Sequence, residues 1–265
     1  MTQPTVSLSS EVARFRDRSE TVRLGVVALS SDLTTEPDFA TIFAPADVAV
    51  HVSRVRNANP TTPANLRKMA GRLTEAASLL VDGVPLGAIY YSCTSASVVI
   101  GDAEVAASIN AARPGVPVVT PSGAARQAFA ALGARRIALL TPYTIETTEP
   151  MAAYFAANGF DVTACACLGI EDDRDMAHVT AETIVAAARA VDTPEAEAIF
   201  ISCTALPAAG VAASIEAATG KPVVTSNQAG AWALARHAGL ADFRPAGFGR
   251  LFDLPMAPGA TGAAA

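Results

Sequence analysis

Short, nearly continuous apolar runs alternate along the chain with longer alanine-rich stretches of helical character. The runs predict buried parallel strands at 24–29, 47–52, 86–92, 116–120, 136–141, 161–167, 198–202 and 222–225. Helices are predicted over 61–80, with Pro63 in the first turn, and over 102–112, 122–132, 146–158, 175–191, 207–218 and 227–237, the last closed by Gly239. Strands alternating with helices imply parallel sheets. The cycle restarts near Leu132-Gly133-Ala134. The expected fold class is therefore α/β: two similar parallel-sheet lobes with helices on both faces and an active site in the cleft between them. The N-terminal lobe is expected at 20–132 and the C-terminal lobe at 133–226, with the last helical segment, 227–252, free to pack back on the first lobe. The alanine- and glycine-rich end, 256–265, has no periodicity and is expected to fray.

Within this frame one motif is written twice. Ala88-Ile89-Tyr90-Tyr91-Ser92-Cys93-Thr94-Ser95 is matched by Ala198-Ile199-Phe200-Ile201-Ser202-Cys203-Thr204-Ala205. Each is an apolar strand that runs into Ser-Cys-Thr. Ligands of such folds sit beyond the carboxyl ends of the strands. The strand-end segments Ser30-Ser31-Asp32, Ser92–Ser95, Thr120-Pro121-Ser122, Thr141–Thr144, Ser202–Thr204 and Thr225-Ser226-Asn227 all carry hydroxyls. Backbone N–H groups where helices begin can bind a carboxylate, and the same hydroxyls also suit plain helix capping. Neither a Gly-x-Gly-x-x-Gly nor a phosphate-loop lysine motif follows the first strand, which argues against nucleotide binding.

Composition narrows the classes. The chain has 265 residues, 51% hydrophobic and 17% charged, with a net charge of −6, so it is globular and carries no nucleic-acid footprint. No apolar run is long enough for a membrane span, and the N-terminus lacks a signal peptide's apolar core. A cytoplasmic setting, in which free thiols persist, is the expectation. Cys165 and Cys167 have no second knuckle and no nearby histidine, and His51, His178 and His237 are scattered, so no metal site is expected.

The remaining cysteines carry chemistry. A strand-end cysteine at a helix N-terminus can have a lowered pKa. Two such thiols facing one ligand suggest a resting pair of one thiolate and one thiol. The thiolate can take a proton alpha to a carboxylate or add to an activated double bond, and the opposite thiol can return a proton. Neither step needs a metal or an organic cofactor. Backbone N–H groups at Thr94-Ser95 and Thr204-Ala205, with the two threonine hydroxyls, are candidates to hold a carboxylate.

The chain resembles the aspartate/glutamate racemase superfamily over about residues 20–240, in the branch that holds maleate cis-trans isomerase, arylmalonate decarboxylase and an ectoine-utilisation protein. The resemblance rests on Cys93-Thr94-Ser95, Pro117–Thr120, Arg135–Tyr143, Leu168-Gly169-Ile170, Ser202-Cys203-Thr204 and Pro222–Asn227. It implies a cofactor-independent isomerase of small carboxylates with Cys93 and Cys203 as catalytic residues. By resemblance, Cys93 attacks the alkene to form a succinyl adduct, Cys203 is the partner acid or base, and Tyr143 binds a substrate carboxylate. Arylmalonate decarboxylase has glycine at the first cysteine position, which disfavours simple decarboxylation here.

Maleate isomerases carry Ser-Ser-Asn where this chain has Ser30-Ser31-Asp32, and a second pocket asparagine falls near Asp172-Asp173. Ionised Asp32 and Asp173 would repel a dicarboxylate and suit an ammonium group. An amino-acid or N-acyl amino-acid racemase, of aspartate or diaminobutyrate type, is therefore an alternative, and a non-catalytic carboxylate-binding protein is another. Ser31, Asp32, Thr94, Ser95, Tyr143, Asp173, Thr204, Ala205 and Asn227 are the expected substrate-binding residues. The expected partner is a small carboxylate or amino acid, and the expected state a homodimer or larger homo-oligomer.

Overall fold

The computed structural model describes residues 4–17 and 20–255; the segment 256–265, expected to fray, lies outside the described residues. The first half runs β1 (Val22–Leu29), α1 (Thr35–Phe43), β2 (Val48–Val55), α2 (Pro63–Arg67), α3 (Leu73–Ser78), β3 (Ala88–Ser92), α4 (Thr94–Ile100), α5 (Asp102–Asn110), β4 (Val118–Val119) and α6 (Pro121–Leu132). The second runs β5 (Arg136–Thr141), α7 (Ile145–Ala157), β6 (Asp161–Cys167), α8 (Asp173–Met176), α9 (Ala181–Val191), β7 (Ala198–Ile201), α10 (Ala212–Thr219), β8 (Val223–Thr225) and α11 (Ser226–His237). All strand pairs are parallel. The sheets have equivalent orders, β2-β1-β3-β4 and β6-β5-β7-β8. β3 and β7 lie inside their sheets and are buried at every position, which is why both read as unbroken apolar runs.

Several predicted helices are divided. The stretch 61–80 becomes α2, a 3-10 turn at Ala70–Arg72 and α3, with Gly71 in the break. The stretch 175–191 becomes α8 and α9, and each has its own cap: Asp172 accepts from Arg174 N and Thr180 from Thr183 N. The segment 227–252 is not one helix: α11 ends at His237, and a 3-10 turn spans Arg250–Asp253. Helix α1 was not predicted. It is short, and Glu36-Pro37-Asp38 reads as a turn until Pro37 is placed in the first helical turn, where its missing N–H is harmless.

Helices α6 and α11 pack against each other and each touches both sheets. α11 is buried all round from Ser226 to Ala235. Its Gly230 lies flat on the Tyr90 ring, where a Cβ would come within 2.4 Å of a ring carbon. Asp102 ties the halves together at a second point. Its carboxylate accepts from Thr120, Ser122 and Arg126 of the first half and from Tyr154 of α7. No helix among the described residues is long and apolar enough to cross a membrane.

Candidate active site

The two Ser-Cys-Thr segments lie at the carboxyl ends of β3 and β7. Cys93 is the N-cap of α4, in extended backbone. Its N–H bonds Tyr91 O, and its carbonyl accepts from Ser97 N and Ser97 Oγ. The sulfur accepts from Ala96 N–H and lies 3.7 Å from Ser95 Oγ. The helix thus holds this thiol in place.

Cys203 has the equivalent sequence and a different conformation. No helix begins at Thr204; a 3-10 turn and α10 start only at Ala209 and Ala212. The Cys203 backbone takes φ +145°, a strained value for a side-chain-bearing residue, at roughly 1–3 kcal/mol. Bonds from outside hold the segment. Cys203 N donates to Ser226 Oγ (3.0 Å), Thr204 Oγ1 to Ser92 O (3.2 Å) and Thr34 Oγ1 to Ala205 O (2.6 Å). Asn227 Nδ2 donates to Thr204 O and to Asp38 Oδ2, both at 2.8 Å. The Cys203 sulfur accepts from Ala205 N at 3.3 Å, approaches Met176 Sδ at 3.8 Å, and faces the Tyr143 hydroxyl.

The carboxylates occupy two different situations. Asp32 Oδ1 accepts from Thr34 N and Thr35 N (both 2.8 Å), and Oδ2 from Thr35 Oγ1 (2.6 Å) and Ser92 Oγ (3.2 Å). Four donors fill its lone pairs, so it anchors α1 to the end of β3. Asp173 is equally buried but receives one side-chain donor, Ser31 Oγ at 2.6 Å. Asn57 Nδ2 supports Ser31, and Asn59 Oδ1 accepts from Asp173 N.

Electrostatics corrects the expected thiolate–thiol pair. Burial, above all, pushes Cys93 up to about 12, and the Asp173 charge adds to it. Burial and Asp173 also push Cys203 up, and Cys93 adds a smaller push. Both thiols are therefore protonated at neutral pH; the donors around each sulfur do not offset desolvation. Asp173 itself is raised to about 6, chiefly by burial and then by Asp32 and Asp172 against the Ser31 hydrogen bond. Asp38 is raised to about 7, again by burial first.

The residues expected at the site lie in this one cluster, and several of their polar groups are already engaged. The Thr94 and Thr204 hydroxyl protons go to bonds between the halves, to Ser226 Oγ and Ser92 O, and are not free for a ligand. The Ala205 N–H goes to the Cys203 sulfur. Thr94 and Ser95 open α4, where N–H groups have no intrahelical acceptor and remain suited to a carboxylate. Asn227 keeps a buried Oδ1 with no partner among the described residues. Sequence reading missed Ser226, Thr34, Asp38, Asn57 and Asn59. Only Ser226, inside a noted strand-end segment, carried any signal. A surface recess of about 250 Å3 lined by Arg54, Arg56, Arg72 and Glu75, among others, shares no residue with the cluster. Among the described residues no group of His, Cys, Asp and Glu is arranged to hold a metal ion.

The chain is similar to known proteins over most of its length. The family model described as arylmalonate decarboxylase matches residues 62–252. A maleate isomerase of Nocardia farcinica is 30% identical over 240 residues, 86% of this chain and 94% of that protein. An arylmalonate decarboxylase of Bordetella bronchiseptica is 38% identical over 141 residues, 52% of this chain and 59% of that one. A solved structure of a Nocardia farcinica maleate cis-trans isomerase variant, with a covalently bound succinylcysteine intermediate, has a TM-score of 0.81 at 28% identity. It covers 88% of this chain and 98% of that one.

Proposed function

The chain belongs to the arylmalonate decarboxylase family, and from that membership we propose that it is a cofactor-independent isomerase of small carboxylates working through Cys93 and Cys203. The observation that carries this reading is the pair of thiols from a repeated motif, brought into one buried cluster with Tyr143 and Asp173. A cis-alkene dicarboxylate is the leading substrate class. The succinylcysteine of the Nocardia relative supports a covalent route.

Cys93 is the attacking thiol, because it alone caps a helix, whose N-terminal dipoles favour developing thiolate charge. As its sulfur bonds one alkene carbon, its proton passes to Asp173, the carboxylate that raises both thiols and has lone pairs to spare. That transfer also neutralises Asp173 beside the substrate carboxylate. The alkene electron pair moves to the neighbouring carbon, which takes the Cys203 proton. Rotation about the new single bond follows. Cys203 then removes a proton from that carbon, the C–S bond breaks with its electrons returning to sulfur, and Asp173 returns its proton. The N–H groups of Thr94 and Ser95 and the Tyr143 hydroxyl hold the carboxylates.

Another reading is favoured by one observation: Asp173 and Asn227 Oδ1 are buried acceptors with capacity left over. They suit an ammonium or amide N–H, so an amino acid or an N-acyl amino acid of the ectoine-utilisation type fits as a racemase substrate. One cysteine, made a thiolate as its proton passes to Asp173, would take the alpha proton, and the other thiol would deliver one to the opposite face. In either case two free thiols suit a reducing, cytoplasmic compartment. The test is proton NMR in D2O with maleate, aspartate, diaminobutyrate and their N-acetyl forms. Fumarate from maleate supports the first reading, and deuterium at Cα of an amino acid the second. Cys93→Ala and Cys203→Ala should each lower turnover at least about 10^3-fold, while Cys165→Ala leaves it unchanged. Full activity in either of the first two variants rejects the assignment.

A further inference from the structure

We infer that Ser226 is the positioning residue that sets the Cys203 thiol against Cys93, an assignment that rests on the two-cysteine reading above. Ser226 opens α11, is fully buried, and belongs to neither copy of the repeated motif. Its Oγ accepts two hydrogen bonds, from the backbone N–H of Cys203 at 3.0 Å and from Thr94 Oγ1 at 2.8 Å. One oxygen therefore joins the second cysteine to the residue that follows the first. Its own carbonyl is fixed by Tyr90 Oη at 3.0 Å, and Tyr90 lies on β3, three residues before Cys93.

Cys203 depends on such a partner and Cys93 does not. The Cys93 amide is satisfied locally by Tyr91 O, and its carbonyl by the helix that follows. Cys203 sits at φ +145° with no helix after it. The other bonds on its segment act on Thr204 and Ala205, through Ser92, Asn227 and Thr34. Among the described residues, the Ser226 hydroxyl is what holds the Cys203 amide itself. The Thr94 bond then aims that hydroxyl from the Cys93 segment. Ser226 touches no reacting atom, so its effect passes through Cys203. A displacement of ~1 Å between reacting groups can lower a rate about 10^2-fold without weakening substrate binding.

The experiment uses the full chain carrying Ser226→Ala, with Thr94→Val as a companion that removes the bond from the other side. Both are compared with wild type for kcat and KM on whichever substrate of the NMR panel turns over. N-ethylmaleimide labelling of Cys93 and Cys203 at pH 9 is followed by mass spectrometry in parallel. The expected result for Ser226→Ala is a fall in kcat of at least about tenfold with KM within about threefold, and a rise of at least about fivefold in the Cys203-to-Cys93 labelling ratio. General loosening would raise both thiols together, so an unchanged ratio overturns the inference, as does an unchanged kcat. Should Ser226→Ala fail to fold, Thr94→Val decides: a ratio raised about twofold or more supports the role, and an unchanged ratio rejects it. A wild-type protein silent on every substrate, or an active Cys93→Ala, removes the two-cysteine reading instead. The labelling ratio still judges Ser226 in that case.

Discussion

Ser92-Cys93-Thr94 and Ser202-Cys203-Thr204 share sequence, strand position and burial, yet one continues into a helix and the other does not. The residue that separates them lies just beyond the motif. Ser97 N closes the first helical bond, to Cys93 O at 3.0 Å, and Ser97 Oγ adds a second to the same carbonyl at 2.7 Å. The corresponding residue of the second copy is Pro207, which has no N–H to give and disfavours helical backbone at Leu206. One thiol is thereby fixed by its own lobe. The other is fixed by Ser226 and Asn227 of α11 and, from the first half, by Ser92 and Thr34. A repeated motif does not make a symmetric site; here it makes a thiol on a rigid cap and a thiol whose geometry depends on α11 and on the first half.

Beyond the thiol replacements, the most disruptive way to test this contrast is to exchange the deciding residues. Ser97→Pro removes both bonds to Cys93 O inside a buried helix and should lower stability by ~3 kcal/mol or more. Pro207→Ser alters a partly exposed loop and should change stability by about 1 kcal/mol or less, because several bonds still hold the Cys203 segment. Urea unfolding of both variants measures the difference. Equal losses would mean that α4 is not what fixes Cys93.

The two thiols share Asp173 whatever holds them. Its pKa is raised to about 6 from a usual value near 3.8. The folded state thus holds its proton more tightly than the unfolded chain does. Stability from this group is full below about pH 4 and lost as pH rises through about 6, on the order of 2–3 kcal/mol. Asp173→Asn should flatten the stability curve across that window and leave the variant the more stable one at pH 8. It should also lower turnover, since the proton acceptor for Cys93 is gone. Urea midpoints from pH 4 to pH 8 check the first outcome, and a parallel fall for wild type and variant would contradict it. Maleimide labelling checks the electrostatics, because both thiols should react faster once the charge beside them is removed.

The central strands were legible because parallel strands buried on both faces leave unbroken apolar runs; β5 matches the predicted limits residue for residue, and so does the edge strand β6, which is half-exposed rather than buried. The two-lobe architecture followed from one repeat. Helices were less legible where breaks depend on a side chain finding a distant or local partner. The Thr180 cap divides 175–191, and Gly71 marks a break that apolar spacing runs straight across. At the site, residue types pointed to the cluster but not to their duties. Nothing along the chain says that Asp32 collects four donors while Asp173 collects one, or that the Thr94 hydroxyl turns to Ser226. The Asp32 donors come from a local turn at Thr34 and Thr35 and from Ser92, whereas the Asp173 and Thr94 bonds join halves far apart in sequence. The thiol pKa was misread for the same reason: proximity to a helix N-terminus is visible in sequence, whereas complete burial beside a carboxylate is not.

The smallest test returns to the two halves where they are most alike. Thr120 follows β4 and Thr225 ends the equivalent strand β8, and they cap α6 and α11. Thr225 takes part in a reciprocal pair with Gln228: its side chain accepts from Gln228 N at 3.3 Å, and Gln228 Oε1 accepts from Thr225 N at 2.9 Å. Thr120 accepts from Gly123 N at 3.2 Å and also donates to Asp102 Oδ1 at 2.6 Å. Replacement by alanine at Thr225 removes one half of the pair and should lower stability by about 1 kcal/mol. At Thr120 it removes the cap and one of the donors that steady the Asp102 carboxylate, where the first half meets Tyr154 of the second. That loss should be the larger, about 2 kcal/mol. Urea unfolding at neutral pH ranks them. Should Thr225→Ala prove the more damaging, the capping box rather than the Asp102 tie would be the stronger support, and the halves would differ in stability in the opposite sense from their cysteines.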